Sequence, residues 1–412
     1  MQPLSWAAAR QAAHTAGLAA RPAPVDVPLA EADGLTLAAP LAPLTDLPAF
    51  PTSSVDGYAV RGPGPWRVAG RALAGSVPEP LSGATAVEIA TGAMLPEGTE
   101  QLIRTEESQR DEAGRITGRA RSVPDWRDRG DEARAGEQLL PAGTPVTPAV
   151  IGLAASCGHD TLAVTPAPRA AVVIFGDELL TAGPPGLGRV RDALGPQLPA
   201  WLARLGAVAA IGERDTTAPG PIGYRGPVAD TLEAHVDAIR AAVEVADVVA
   251  TTGGTMHGPV DHLHPALAKL AATYLADSVA VRPGFPMLLA QIPRAGRPPA
   301  FIAGLPGNPQ SAVVALVSLV VPLLLGLAGA PLPDLPRVRL AGAVKGRGEA
   351  THLALVRLDS SGLAEPLGHA GSAMLRGLAR ADGFAVVAPR TDASSGDEVP
   401  FVALPLLPGG RP

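Results

Sequence analysis

Between Arg169 and Leu305 the chain alternates continuous apolar runs with amphipathic stretches. Arg169-Ala170-Ala171-Val172-Val173-Ile174-Phe175 is apolar after its first residue and stops at Gly176. Val208–Ile211, Asp247-Val248-Val249-Ala250-Thr251 and Pro299–Leu305 repeat the pattern, and 196–206 and 229–245 between them read as helices. Runs without polar alternation belong to strands buried on both faces, so this region predicts a parallel sheet covered by helices on both sides. Residues 37–125 have a different texture, with frequent Gly and Pro and short runs such as Trp66-Arg67-Val68-Ala69 and Ala86-Val87-Glu88-Ile89-Ala90, which predicts a β-rich insertion. The first twenty residues carry a stripe of Trp6, Ala9, Ala13 and Leu18 and read as a helix ended by Pro22 and Pro24. The charged, Gly-rich stretch 126–145 leads to a second helix near Pro148–Cys157. From about 332 the pattern is β-like again, at Val338–Val344, Leu353–Leu358 and Phe384–Ala388. The expected fold class is therefore multidomain α/β plus β. Residues 1–45 with 140–167 form a discontinuous helical piece, 46–139 a β-rich inserted domain, 168–330 an α/β domain and 331–412 a C-terminal β domain.

Composition narrows the function classes. The 33 basic and 39 acidic residues leave a net charge of −6, which argues against nucleic-acid binding. Gly (47) and Pro (45) are abundant, yet 47 % of the chain is hydrophobic, so it is no low-complexity polymer. Lys269 and Lys345 are the only lysines among the basic residues. Cys157 is the only cysteine, which excludes an intrachain disulfide and a thiolate zinc cluster. Ala312–Pro331 is apolar and long, but it contains Ser318 and Pro322 and lacks a basic flank, so it reads as a buried helix and no membrane association is expected. The N-terminus has neither the basic nor the apolar region of a signal peptide, and the expected location is cytoplasmic.

Three Gly-rich turns each follow a predicted α/β strand: Gly176-Asp177-Glu178-Leu179; Thr252-Gly253-Gly254-Thr255, with Gly258 and Asp261 beyond; and Leu305-Pro306-Gly307-Asn308-Pro309. Each alone reads more often as an ordinary corner. Together, at the carboxyl ends of parallel strands and ahead of helix starts, they point to one anion site. Glu178 and Asp261 are carboxylates suited to a hard cation such as Mg2+ bridging to a phosphate. His262 and His264 are two apart and cannot share a helix face, which argues against a His-based metal site. His257 either touches a ligand or is exposed, Asp56 could be a simple turn carboxylate, and Arg104–Glu107 reads as a solvated edge.

Read together, the motifs resemble the molybdopterin molybdenumtransferase family, the MoeA and gephyrin E-domain type, over essentially the whole chain. The resemblance rests on Ser53-Ser54-Val55-Asp56-Gly57-Tyr58-Ala59-Val60 after Asp46-Leu47-Pro48-Ala49-Phe50, and on Thr91-Gly92-Ala93-Met94-Leu95-Pro96-Glu97-Gly98. Arg129-Gly130-Asp131-Glu132, the three turns above, and Gly371-Ser372 with Leu378-Ala379-Arg380-Ala381-Asp382-Gly383 follow in order. The resemblance implies an elongated homodimer that inserts molybdenum from molybdate into adenylylated molybdopterin and releases AMP, with Mg2+. Molybdopterin adenylyltransferase and molybdoenzymes are the implied partners. By position it makes Asp56, Glu178 and Asp261 catalytic, with Glu178 and Asp261 holding the metal. Thr91, Gly176, Asp177, Gly253, Gly254, Arg282, Pro306, Gly307, Asn308, Pro309 and Ser372 become binding residues.

The chain departs from the family pattern in the same region. Where the family carries Lys-x-x-x-Lys-Pro-Gly-Lys-Pro, this chain has Ser278-Val279-Ala280-Val281-Arg282-Pro283-Gly284-Phe285-Pro286, which keeps one of three positive charges. Thr255-Met256-His257-Gly258 and Asp192-Ala193-Leu194 likewise replace polar family residues. A non-catalytic or altered paralogue that binds the cofactor, or acts as a dimeric scaffold, is the alternative these changes leave open. A different phosphate-handling enzyme is a second.

Overall fold

The computed structural model describes residues 2–210, 223–255 and 261–404. The chain divides into two compact units, one of Met1–Val25, Gly34–Ala38 and Val164–Pro412, the other of Asp26–Asp33 and Ala39–Ala163.

In the first unit a mixed sheet runs in the order Val208–Ala209, Arg169–Phe175, Val248–Thr252, Arg297–Leu305, Leu288–Arg294, Thr273–Asp277, and Gly223–Val228 also pairs with Arg169–Phe175. The pairings among Arg169–Phe175, Val248–Thr252 and Arg297–Leu305 are parallel, and the two through Leu288–Arg294 are antiparallel. Alternation explains the continuous apolar runs. Ala170, Val172 and Ile174 enter one core and Ala171, Val173 and Phe175 the other. Helices Leu194–Arg204 and Pro309–Leu327 supply the first core, and Leu232–Val245 and Leu263–Lys269 the second. The Pro309–Leu327 helix is long and apolar enough to cross a membrane by composition, but 89 % of its apolar window is buried in protein, as expected of a core helix.

That helix is interrupted by five residues of π-helix, Leu316–Val320, just before Pro322. Pro322 has no N–H to return to the preceding turn, and Arg10 donates to the carbonyl of Val317 at 2.9 Å. Arg10 lies on helix Trp6–Ala19, whose buried face is Trp6, Ala9, Arg10, Ala13, His14 and Gly17. This is a strict helical stripe, and Leu18 falls one position off it and is 46 % exposed, contrary to the sequence expectation.

A second sheet in the same unit runs Leu4–Ser5, Val279–Arg282, Thr351–Leu358, Gly383–Val387, Glu398–Ala403, Arg337–Arg339. The strand expected over Val338–Val344 is confined to Arg337–Arg339, and Leu340 and Val344 make only isolated bridges to Ala364 and Ala393.

The other unit holds a four-stranded sheet ordered Arg67–Ala72, Thr85–Ile89, Gly57–Arg61, Gln101–Arg104. Ala59, Val87, Ile89 and Leu102 face one cluster and Val60, Ala86 and Ile103 another. Helix Pro148–Ser156 follows, with the Thr147 hydroxyl accepting from Val150 N and Pro148 in the first turn. Cys157, at its end, is fully buried.

Candidate functional site

The three turns meet at the carboxyl edge of the α/β sheet. Gly253 N donates to Leu305 O at 3.1 Å. A Cβ on Gly253 would stand 3.7 Å from the carbonyl oxygen of Phe175, and one on Gly307 would stand 3.9 Å from the Cα of Gly253. Gly253 and Gly254 have φ of +83° and +64°, the left-handed region that a residue with a side chain rarely takes.

The first turn folds its carboxylate back over itself. Gly176 has φ +142°, and a Cβ there would lie 2.8 Å from Glu178 Oε2. Glu178 and Asp177 are exposed. Asp177 N donates to Asp230 Oδ2 at 3.2 Å and Asp230 N to Asp177 Oδ1 at 3.4 Å. Asp230 therefore joins the turn, a residue the sequence reading missed because it looks only like the approach to a helix capped by Thr231. Asp261 lies beyond the Val248–Thr252 strand, half-buried and two residues ahead of helix Leu263–Lys269. Met256, His257 and Gly258 lie outside the described residues. His262 and His264 do not form a metal pair. His262 stands at the N-cap position without a side-chain cap bond and meets His235 edge-on at 5.6 Å, while His264 Nε2 is 3.1 Å from Asp277 Oδ1. Among the described residues no three His, Cys, Asp or Glu side chains gather closely enough to hold a metal ion. The exposed Glu178 carboxylate and the half-buried Asp261 carboxylate are oxygen donors of the kind a Mg2+ uses when it keeps its waters and shares substrate phosphates.

The third turn differs from the sequence expectation. A helix start offers its first amides to an anion, but here they are spoken for. Pro309 has none, Gln310 N and Ser311 N both donate to Ser372 O at 3.0 and 3.2 Å, and Ala312 N donates to Asn308 O. The Gln310 side chain, 1 % exposed, donates to Ala370 O at 3.2 Å, and its Oε1 has no partner. The helix start thus fastens the segment Ala370–Ser372 rather than standing open.

That segment forms one wall of a groove of about 490 Å³ whose other lining residues are Arg282, Pro283, Gly346, Arg347 and His352. Arg282 lies 4.7 Å over the ring of Phe285, so the aromatic residue at a usual lysine position packs beneath the retained charge. Neither Ser278 nor Phe285 lines the groove. Ser278 sits between strands at φ +80°. Arg347 and His352 escaped sequence reading, and the basic Gly-rich run Lys345-Gly346-Arg347-Gly348 was the available signal. Leu194, at another usually polar position, is 5 % exposed in the core, while Asp192 Oδ1 accepts from Leu194 N and Gly195 N at 2.9 Å and caps the helix.

In the other unit, Asp56 Oδ1 accepts from Thr91 N at 2.7 Å and from Thr91 Oγ1 at 3.0 Å. The amide first, then the hydroxyl, hold the Asp56 carboxyl below the usual carboxylate range. The two residues singled out there are thus one constellation. Asp46 likewise joins its two stretches, accepting from Arg129 Nε at 2.8 Å and Ala135 N at 2.9 Å. Arg104 is not a solvated edge: its Nε lies 3.0 Å from Asp125 Oδ2, and the pair lines a groove of about 770 Å³ with Glu107, Arg119 and Arg121.

Known family descriptions cover most of the chain. Residues 4–158 match the family described as "MoeA N-terminal region (domain I and II)", 171–326 the "Probable molybdopterin binding domain" and 337–404 the "MoeA C-terminal region (domain IV)". The chain is 30 % identical over 384 residues to molybdopterin molybdenumtransferase 2 of Mycobacterium tuberculosis, covering 88 % of this chain and 90 % of that one. It is 33 % identical over 318 residues to the molybdopterin molybdenumtransferase of Nostoc sp., covering 74 % of this chain and 69 % of that one. Its fold is similar to the crystal structure of the molybdopterin biosynthesis MoeA protein from Pyrococcus horikoshii, with a TM-score of 0.76, 25 % identity, and coverage of 98 % and 99 % of the two chains.

Proposed function

The chain belongs to the molybdopterin molybdenumtransferase family, and from that premise we propose that it inserts molybdenum from molybdate into adenylylated molybdopterin with release of AMP. The observation that carries this reading is the joining of the three Gly-rich turns to a groove lined by Arg282 and Arg347. The three turns adjoin at the sheet edge, the Pro309 helix leads to Ser372, and Ser372 leads into the groove with Arg282. Substrate phosphates and molybdate are anions, and holding them in one orientation is the main task of such a site. In this reading Gly176, Asp177, Gly253, Gly254 and Pro306–Pro309 let the substrate approach backbone closely, while Arg282 and Ser372 position its oxyanions. Glu178 and Asp261 would hold Mg2+, which supplies polarisation of the phosphoanhydride. Asp56, kept ionised by Thr91, offers a fixed acceptor.

The same reading makes the protein a cytoplasmic homodimer that receives its nucleotide-activated pterin from molybdopterin adenylyltransferase and passes the finished cofactor to molybdoenzymes. The test is reconstitution with adenylylated molybdopterin, molybdate and Mg2+, following AMP by chromatography and cofactor by activation of an apo-molybdoenzyme. Molybdate-dependent AMP release with cofactor formation is expected, and Glu178→Gln or Asp261→Asn should abolish it with the fold intact. Tight binding without turnover would replace this reading with that of a cofactor-binding paralogue.

A further inference from the structure

The groove beside Ser372 contains a titratable group that the proposed reaction has not yet used. Arg282 and Arg347 line it, and among the described residues neither guanidinium has a carboxylate partner. The acids nearby are spent elsewhere: Asp392 on Lys345 at 2.8 Å and Glu349 on Arg390 at 2.8 Å. His352 lines the same groove. Its strand pairs in parallel with Val279–Arg282, placing His352 opposite Arg282, and on the other side it faces Val387, which carries no charge. His352 Nδ1 is 2.7 Å from the carbonyl oxygen of Lys345. A carbonyl only accepts, so Nδ1 carries a proton, and Nε2 is a lone pair in the neutral ring and a donor in the charged one.

We propose that His352 is a protonation-dependent contact for the tetrahedral oxyanion substrate, so that a dianion of the molybdate class binds this groove with uptake of one proton. The inference rests on the functional reading above, in which this groove takes substrate oxyanions. It also answers the missing lysines: positive charge reaches the groove from Arg347 and His352, far along the chain from Ser278 and Phe285. Burial first, and Arg347 after it, push the His352 ring below the usual imidazole range, against the upward pull of the Lys345 carbonyl, so the free groove is neutral at this position near pH 7. An arriving dianion reverses that balance. Charge at His352 is thereby spent only when an anion is present.

The experiment is calorimetric titration of the intact protein with molybdate, and with sulfate, whose own charge is fixed, between pH 6 and 8.5 in two buffers of different ionisation enthalpy. Wild type should bind more tightly as pH falls, by up to about tenfold per pH unit for one linked proton, with measurable proton uptake. His352→Gln should flatten the dependence at the weak limit, and His352→Arg should flatten it at the tight limit. A flat wild-type profile, or an unchanged slope in both variants, overturns the proposal. Arg282→Ala with Arg347→Ala separates the two levels. If that pair abolishes binding while the histidine variants change nothing, only the histidine inference fails. If it leaves binding unchanged, the groove is not the oxyanion site, and the functional reading built on it falls as well.

Discussion

Gly17 and Gly326 face one another where helix Trp6–Ala19 crosses the last turns of helix Pro309–Leu327. A Cβ on Gly17 would overlap the carbonyl oxygen of Leu323 and stand 3.2 Å from the Cα of Gly326, and a Cβ on Gly326 would overlap the carbonyl oxygen of His14. Both obstacles are backbone and cannot rotate away. Gly17→Ala or Gly326→Ala should therefore cost about 1–3 kcal/mol, despite alanine's better helix propensity. Urea denaturation reads this as a lower midpoint, and a higher midpoint would show that the helices separate easily.

His235 is 1 % exposed, stacks on Phe175 at 3.7 Å and gives Nδ1 to the carbonyl of Thr231 at 2.8 Å. Burial, the largest influence, pulls its pKa below the usual imidazole value. The unfolded chain then binds more protons than the folded one, so stability should fall as pH drops below about 6.5 and level out above it. His235→Phe should remove that part of the pH dependence in thermal melts between pH 5 and 7.5. An unchanged profile would show that the folded chain protonates His235 as readily as the unfolded one.

Asp56 acts in the same direction, in the carboxylate range of pH. Its carboxyl is depressed in the folded protein by the amide and hydroxyl of Thr91, so its contribution is present above the unfolded carboxylate pKa and is lost as pH falls through the lower folded value. Thr91→Ala removes the hydroxyl and should raise the Asp56 pKa, measurable by carboxyl-carbon NMR titration. Asp56→Asn should leave the fold intact and lower turnover by at least tenfold if this carboxylate touches substrate.

Ser278 occupies φ +80°, where glycine is unstrained. Ser278→Gly should stabilise the protein by about 1 kcal/mol and leave molybdate affinity unchanged, because the residue does not line the groove. Altered affinity would place Ser278 in the anion's surroundings after all.

The sequence made the α/β layer legible because its signal is local. Uninterrupted apolar runs ending at Gly176, Gly253 and Pro306 report burial on both faces and a turn beyond, and the structure joins those turns at one edge. What stayed hidden depends on pairing across long separations. The groove exists because Arg282 pairs with His352, seventy residues later, and no periodicity carries that register. Asp230 likewise becomes part of the first turn only through its exchange of hydrogen bonds with Asp177. Leu194 and Phe285 looked like lost ligand contacts because a linear pattern does not show which way a side chain faces. One enters the core and the other supports a guanidinium.

The carbonyl of Ser372 that holds Gln310 N and Ser311 N makes the groove wall a dependent of the core helix. That wall has no independent setting. Anything that shifts the first turn of the helix, from an added side chain at Gly307 to a change at Asn308, must be transmitted to Ala370–Ser372 and so to the width of the channel between Arg282 and Arg347. Distant changes in packing can thus retune the grip on an anion without altering one charge.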